Sequence, residues 1–389
     1  MALAIDLPDE AGRLVPYRLS GAAAERAAVA GPYNRTIFAA AHVVADPFAE
    51  GEPSLGPAID WEGTLAFRRS LLDRGFSIAE AMDTAQRGMG LDWPNARRLI
   101  ERSLAAVTPE ERGRIFSGVG TDQLMPADAR GLDDVVATYL DQLGAVQKAG
   151  GRVILMASRA LARIARSPDD YAVVYRRVLA EADHPVILHW LGEMFDPALR
   201  GYWGTEAFDP ALATALAVIG ENRAKVDGIK ISLLDDRKEI VMRRRLPEGV
   251  VMYTGDDFNY PALIKGDAEG HSHALLGILD PIAPVAAPAF AALARGDTAA
   301  YDRLLDPTVP LSRLIFRAPT QHYKTGVVFL AWLNGFQDHF VMIAGAQAMR
   351  PLPYFTGVFR LADAAGLFFD PEDATRRMQA FLRLYGVGA

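Results

Sequence analysis

The sequence predicts an α/β protein, a (β/α)8 barrel of the TIM type with a C-terminal helical extension. Short, β-rich apolar runs alternate with helical patterns along most of the chain, as expected of parallel strands joined by crossover helices. Eight such runs fall within roughly 250 residues, the length this barrel takes. No Gly-x-Gly-x-x-Gly turn follows the first run, which counts against the doubly wound open sheet, the runner-up fold.

The elements are read in order from the apolar period. Residues 36–44 form the first strand, and 60–74 a helix with Leu65, Phe67, Leu71 and Leu72 near helical spacing. The second strand is 77–82. The third, 114–119, ends in Gly118-Val119-Gly120 and precedes a helix over 132–149. Residues 152–156 and 185–188 are the fourth and fifth strands, each with a helical segment behind it, to 180 and over 210–219. Strand six, 226–231, holds a lysine; strand seven, 250–253, ends in Thr254-Gly255-Asp256-Asp257; strand eight is 273–278. The expected organisation is an N-terminal arm over 1–33, the barrel over 34–283, and a helical region over 284–389 packed on it.

The 389 residues are 50% hydrophobic and 23% charged, which excludes a disordered chain. A net charge of −7, with Arg243-Arg244-Arg245 the one basic cluster, argues against nucleic acid or anionic membrane as partner. Absence of cysteine excludes disulfides, thiol nucleophiles and thiolate metal sites. The first ten residues lack the basic start and apolar run of a signal peptide, and no apolar run is long enough to span a bilayer, so a cytoplasmic protein is expected.

The chemistry centres on Val226-Asp227-Gly228-Ile229-Lys230-Ile231-Ser232. An ammonium among β-branched neighbours is costly to desolvate, which pushes the lysine toward the neutral amine that attacks carbonyl carbons. The alternative is a lysine that ends a strand and snorkels to solvent. In such barrels, reactive groups sit at the C-terminal ends of the strands, and Lys230 meets that condition.

Gly118-Val119-Gly120-Thr121 after strand three, Pro185-Val186-Ile187-Leu188, Asp227-Gly228-Ile229-Lys230 and Thr254-Gly255-Asp256-Asp257 occur in that order. In this they resemble the dihydrodipicolinate synthase and N-acetylneuraminate lyase superfamily of class I aldolases, and within it a divergent dihydrodipicolinate synthase-like branch of unknown function. The resemblance covers roughly residues 34–335. It implies a Schiff base on Lys230, a carbonyl substrate, no cofactor, and a homodimer or homotetramer.

Two departures qualify the resemblance. Where the family places Gly-Thr-Thr-Gly-Glu for the keto-acid carboxylate, this chain reads Met82-Asp83-Thr84-Ala85-Gln86-Arg87-Gly88. Thr84 is retained, Ala85 removes the second hydroxyl, and Arg87 is either a carboxylate binder or an ordinary surface arginine. Where the family's strand five carries a tyrosine, this chain reads Leu188-His189-Trp190-Leu191-Gly192-Glu193. His189 is a candidate proton shuttle or a buried structural histidine, and Glu193 a candidate assistant. Asp256 and Asp257 are candidate binders of substrate hydroxyls.

The resulting expectation is a Schiff-base lyase, aldolase or dehydratase acting through Lys230 and His189 on a keto acid or hydroxylated keto sugar, with substrate contacts from Thr84, Arg87, Glu193, Asp256 and Asp257. A second class is a divalent-metal sugar isomerase or aldolase using ligands among His42, Asp46, His189, Glu193, Asp256, His271 and His273. A third is a non-catalytic ligand-binding barrel.

Overall fold

The computed structural model describes residues 3–9, 11–26, 31–53 and 55–387. By contact the chain divides into two units that interleave along the sequence. One takes in residues 35–41 and 77–276, the other 1–34, 42–76 and 277–389.

The first unit holds the barrel. Strands β1 (Ala4–Pro8) and β2 (Leu14–Arg18) belong to the other unit; the barrel staves are β3 (Ile37–Ala40), β4 (Ser77–Glu80), β5 (Ile115–Val119), β6 (Arg152–Leu155), β7 (Val186–Leu191), β8 (Val226–Ser232), β9 (Val251–Thr254) and β10 (His273–Leu276). They run parallel and close in chain order, β10 pairing with both β9 and β3. The eight sequence runs are these eight strands. Helices Leu132–Lys148, Pro168–Ala180 and Phe208–Glu221 alternate with the strands of this unit, each burying one apolar stripe, such as Val135, Tyr139, Leu143 and Val146.

Inward-pointing side chains fill the barrel. Phe38, Phe116, Ile154, Ile187, Tyr253 and Leu275 form one buried cluster, with Phe38 edge-on to Phe116 at 4.8 Å and to Tyr253 at 5.8 Å. A side chain at Gly228 would collide with the Tyr253 ring, its Cβ 2.7 Å from ring carbon Cε2.

In the second unit, β1 and β2 form an antiparallel hairpin. Tyr17 Oη donates to Asp363 Oδ2 at 2.7 Å, and the Ser20 amide and hydroxyl donate to the same carboxylate. The C-terminal region is helical, as expected. Helix Leu279–Ala294 begins before the expected boundary at 284 and runs through Pro284 and Pro288. Nearly all its residues are buried, and that burial outweighs the lost amide bonds. No helix among the described residues is long and apolar enough to cross a membrane.

Arg243 and Arg244 of the basic cluster engage Asp267 at 2.7 and 3.3 Å, and the Arg243 side chain is only 8% exposed.

Candidate active site

Alternation along β8 sets the site. Ile229 and Ile231 point outward, which places Gly228, Lys230 and Ser232 inside. Lys230 is 7% exposed. Its stem lies where a side chain on β9's neighbour would otherwise be: a Cβ at Gly255 would fall 2.8 Å from Lys230 Cε and 2.2 Å from Ser232 Oγ. Glycine at 255 is thus required for volume, so that the lysine can lie flat against the adjacent chain.

Among the described residues nothing hydrogen-bonds or ion-pairs with Lys230 Nζ. Burial pushes its ammonium below the ordinary lysine value, outweighing the charges of Asp83 and Asp257, which oppose the shift. The strand register places His189 of β7 directly beside Lys230. His189 is fully buried, with Nε2 3.2 Å from Ser232 Oγ and, among the described residues, no hydrogen-bond partner for Nδ1. Burial first, and the Lys230 charge second, hold it well below the ordinary histidine pKa of 6.5. At neutral pH it is an uncharged imidazole, able to take or give a proton.

His189 lines a cavity of about 170 Å³ together with Asp83, Thr121, Met156, Arg159 and Leu191, among others. Lys230 does not itself line this cavity; its register partner His189 does, as does Asp83, whose charge acts on it.

The remaining expected residues divide. Asp257 is buried and its charge acts on Lys230. Thr84 is buried in the 3-10 turn Asp83–Ala85 that follows β4. Arg87 is neither the carboxylate binder nor the surface arginine anticipated, because all five N–H groups of its guanidinium are engaged inside the protein. Nε and Nη2 clasp Asp122 at 2.8 and 2.7 Å, Nη1 donates to the Ala81 and Gly118 carbonyls, and Nη2 also donates to Gln142. It ties the loop after β4 to the loop after β5. Asp256 is buried and caps the turn after β9: it accepts from the Phe258 and Asn259 amides and from Asn259 Nδ2. Glu193 is exposed, 3.7 Å from Arg200 in a neighbouring groove beside Trp190, and does not line the cavity.

Sequence reading missed several neighbours of these residues. Ser232 could have been found from the period-two rule, two residues beyond Lys230 on the same face. Asp83 sat unremarked beside Thr84. A hydroxyl chain had no local signal: Thr121 Oγ1 lies 2.6 Å from Ser158 Oγ, the Ser158 amide donates to Tyr202 Oη, and Tyr202 Oη lies 3.0 Å from Tyr175 Oη.

For the metal reading, His271 and His273 do lie together, ring centroids 5.5 Å apart. His273 Nδ1, however, accepts the Thr36 amide at 3.0 Å, and burial lowers its pKa to about 4. His42 pairs with Asp280 at 2.8 Å, and Asp46 accepts the Phe48 amide. Among the described residues no group of three or more potential ligands is placed to hold an ion.

A family described as a protein of unknown function (DUF993) matches residues 5–387. No curated protein matches the chain. Solved structures do. Dihydrodipicolinate synthase from Thermotoga maritima has 14% identity and a TM-score of 0.62 over 86% of this chain and 99% of that one. The chloride-inhibited enzyme from Acinetobacter baumannii, solved with pyruvate, gives 14%, 0.62, 86% and 99%. A monomeric dihydrodipicolinate synthase variant gives 14%, 0.64, 86% and 97%. At this identity the likeness establishes the barrel fold that the sequence motifs implied.

Proposed function

The chain belongs to the DUF993 family, and from that premise we propose that it is a Schiff-base-forming lyase, aldolase or dehydratase acting through Lys230 on a keto acid or hydroxylated keto sugar. The observation that carries this reading is a buried lysine with no hydrogen-bond or ion-pair partner among the described residues, beside a buried neutral histidine that lines a cavity.

The neutral Nζ adds to the substrate carbonyl carbon, and the carbonyl oxygen takes a proton to give a carbinolamine. Loss of water leaves a protonated imine. In cleavage the imine accepts the electron pair of the adjacent carbon–carbon bond, giving an enamine; in dehydration it accepts the pair of the adjacent carbon–hydrogen bond as the proton leaves, and the enamine then expels hydroxide from the next carbon, which departs as water with a proton. Reprotonation at carbon and hydrolysis return the lysine. His189 carries protons between these species, and Asp83 and Asp257 favour the cationic imine over the neutral amine.

Borohydride reduction in the presence of a panel of keto acids and keto sugars, followed by peptide mapping, tests the assignment. The expected adduct is on Lys230. An adduct on Lys265 or Lys324 instead sinks it.

A further inference from the structure

The cavity beside His189 has two arginines in its wall, and they differ in what they have left to give. Arg87 has every N–H engaged, as described above. Arg159 is held only through Nε, which donates to Asp196 Oδ2 at 2.5 Å; among the described residues no partner is recorded for Nη1 or Nη2. That edge faces Gly88, where a Cβ would stand 3.5 and 3.6 Å from the two nitrogens. Gly88 has φ +71°, a conformation side chains disfavour, so no side chain stands between its backbone and the guanidinium, and both residues line the cavity. A guanidinium anchored at Nε and open along its Nη edge presents parallel donors in the geometry that carboxylate and phosphate oxygens accept.

Exposure gives the direction. The Arg159 side chain is 42% exposed, whereas Lys230 is 7% exposed. We infer that Arg159 is an anion anchor at the outer rim of the cavity, and that the substrate is a carbonyl compound bearing a carboxylate or phosphate at the end remote from the reacting carbonyl. This rests on the Lys230 reading for the carbonyl end. It differs from a substrate held by a carboxylate next to the carbonyl, because the cation on the β4 loop, Arg87, has no donor to offer.

The test uses matched probes on the full chain: 4-oxopentanoate against 2-pentanone, and dihydroxyacetone phosphate against dihydroxyacetone. Calorimetric binding to wild type and to Lys230→Ala reads the anchor without requiring an imine. The anionic member of at least one pair should bind roughly tenfold to a hundredfold more tightly, as charge-assisted hydrogen bonds imply; which pair responds distinguishes carboxylate from phosphate. The preference should vanish in Arg159→Gln, weaken in Arg159→Lys, and persist in Arg163→Gln, a control on the same short helix, Arg159–Ile164. Equal affinity within both pairs, or a preference that survives Arg159→Gln, overturns the inference. Borohydride trapping separates the two ideas: no adduct on Lys230 with the anionic preference intact defeats the imine alone, and adducts formed without any preference defeat the anchor alone.

Discussion

Lys230 and His189 lie side by side, and the charge of the lysine lowers the pKa of the histidine. Lys230→Ala should abolish both the reducible adduct and turnover, and Lys230→Arg should not restore either, since a guanidinium stays protonated; intact mass after borohydride and a turnover assay check both. His189→Phe should slow turnover by roughly a hundredfold or more while the Lys230 adduct still forms, separating proton movement from nucleophilic attack. Because burial lowers the His189 pKa, its protonation should cost activity only below pH 6.5, so the acid limb of kcat/KM should lie under that value and disappear in His189→Phe. At this scale the lysine was legible, since a charge in a β-branched run is locally anomalous. Arg87 was not: its role depends on Asp122 and Gln142, whose positions follow from packing the loops after β4 and β5 together.

The helix Asp236–Arg243 carries a buried carboxyl that no linear pattern announced. Glu239 accepts from Thr254 Oγ1 at 2.8 Å and from Ser272 Oγ at 2.7 Å, joining its helix to β9 and to the segment entering β10. Burial raises its pKa from 4.5 to about 8. The folded chain therefore keeps a proton that the unfolded chain releases, and stability should fall as pH rises from 4.5 to about 8, by at most about 1.4 kcal/mol per pH unit for one proton. Glu239→Gln, which preserves an acceptor and a donor, should flatten that slope in urea titrations run at several pH values; an unchanged slope refutes the assignment. Strand and helix order could be read because period-two and period-3.6 patterns are local. The start of helix Leu279–Ala294 could not, since burial overrode two prolines.

At the scale of the whole molecule we expect a homodimer or homotetramer. The apolar side chains of the C-terminal helices are largely used within the chain: every residue of helix Tyr323–Leu333 is buried. Phe48 and Leu55 are instead 92% and 85% exposed, side chains costly to leave in water. Phe48→Asp with Leu55→Asp should lower the mass measured by light scattering toward that of one chain, and a wild-type protein that is monomeric across micromolar concentrations refutes the expectation. The interleaving of the two units also bears on how a ribosome delivers this protein. All eight staves have been made by Leu276, whereas Asp363, which holds Tyr17 and Ser20, comes 346 and 343 positions after them. On the nascent chain the hairpin must therefore wait for a segment made well after the last stave, and it stays without its anchor until Asp363 has been added.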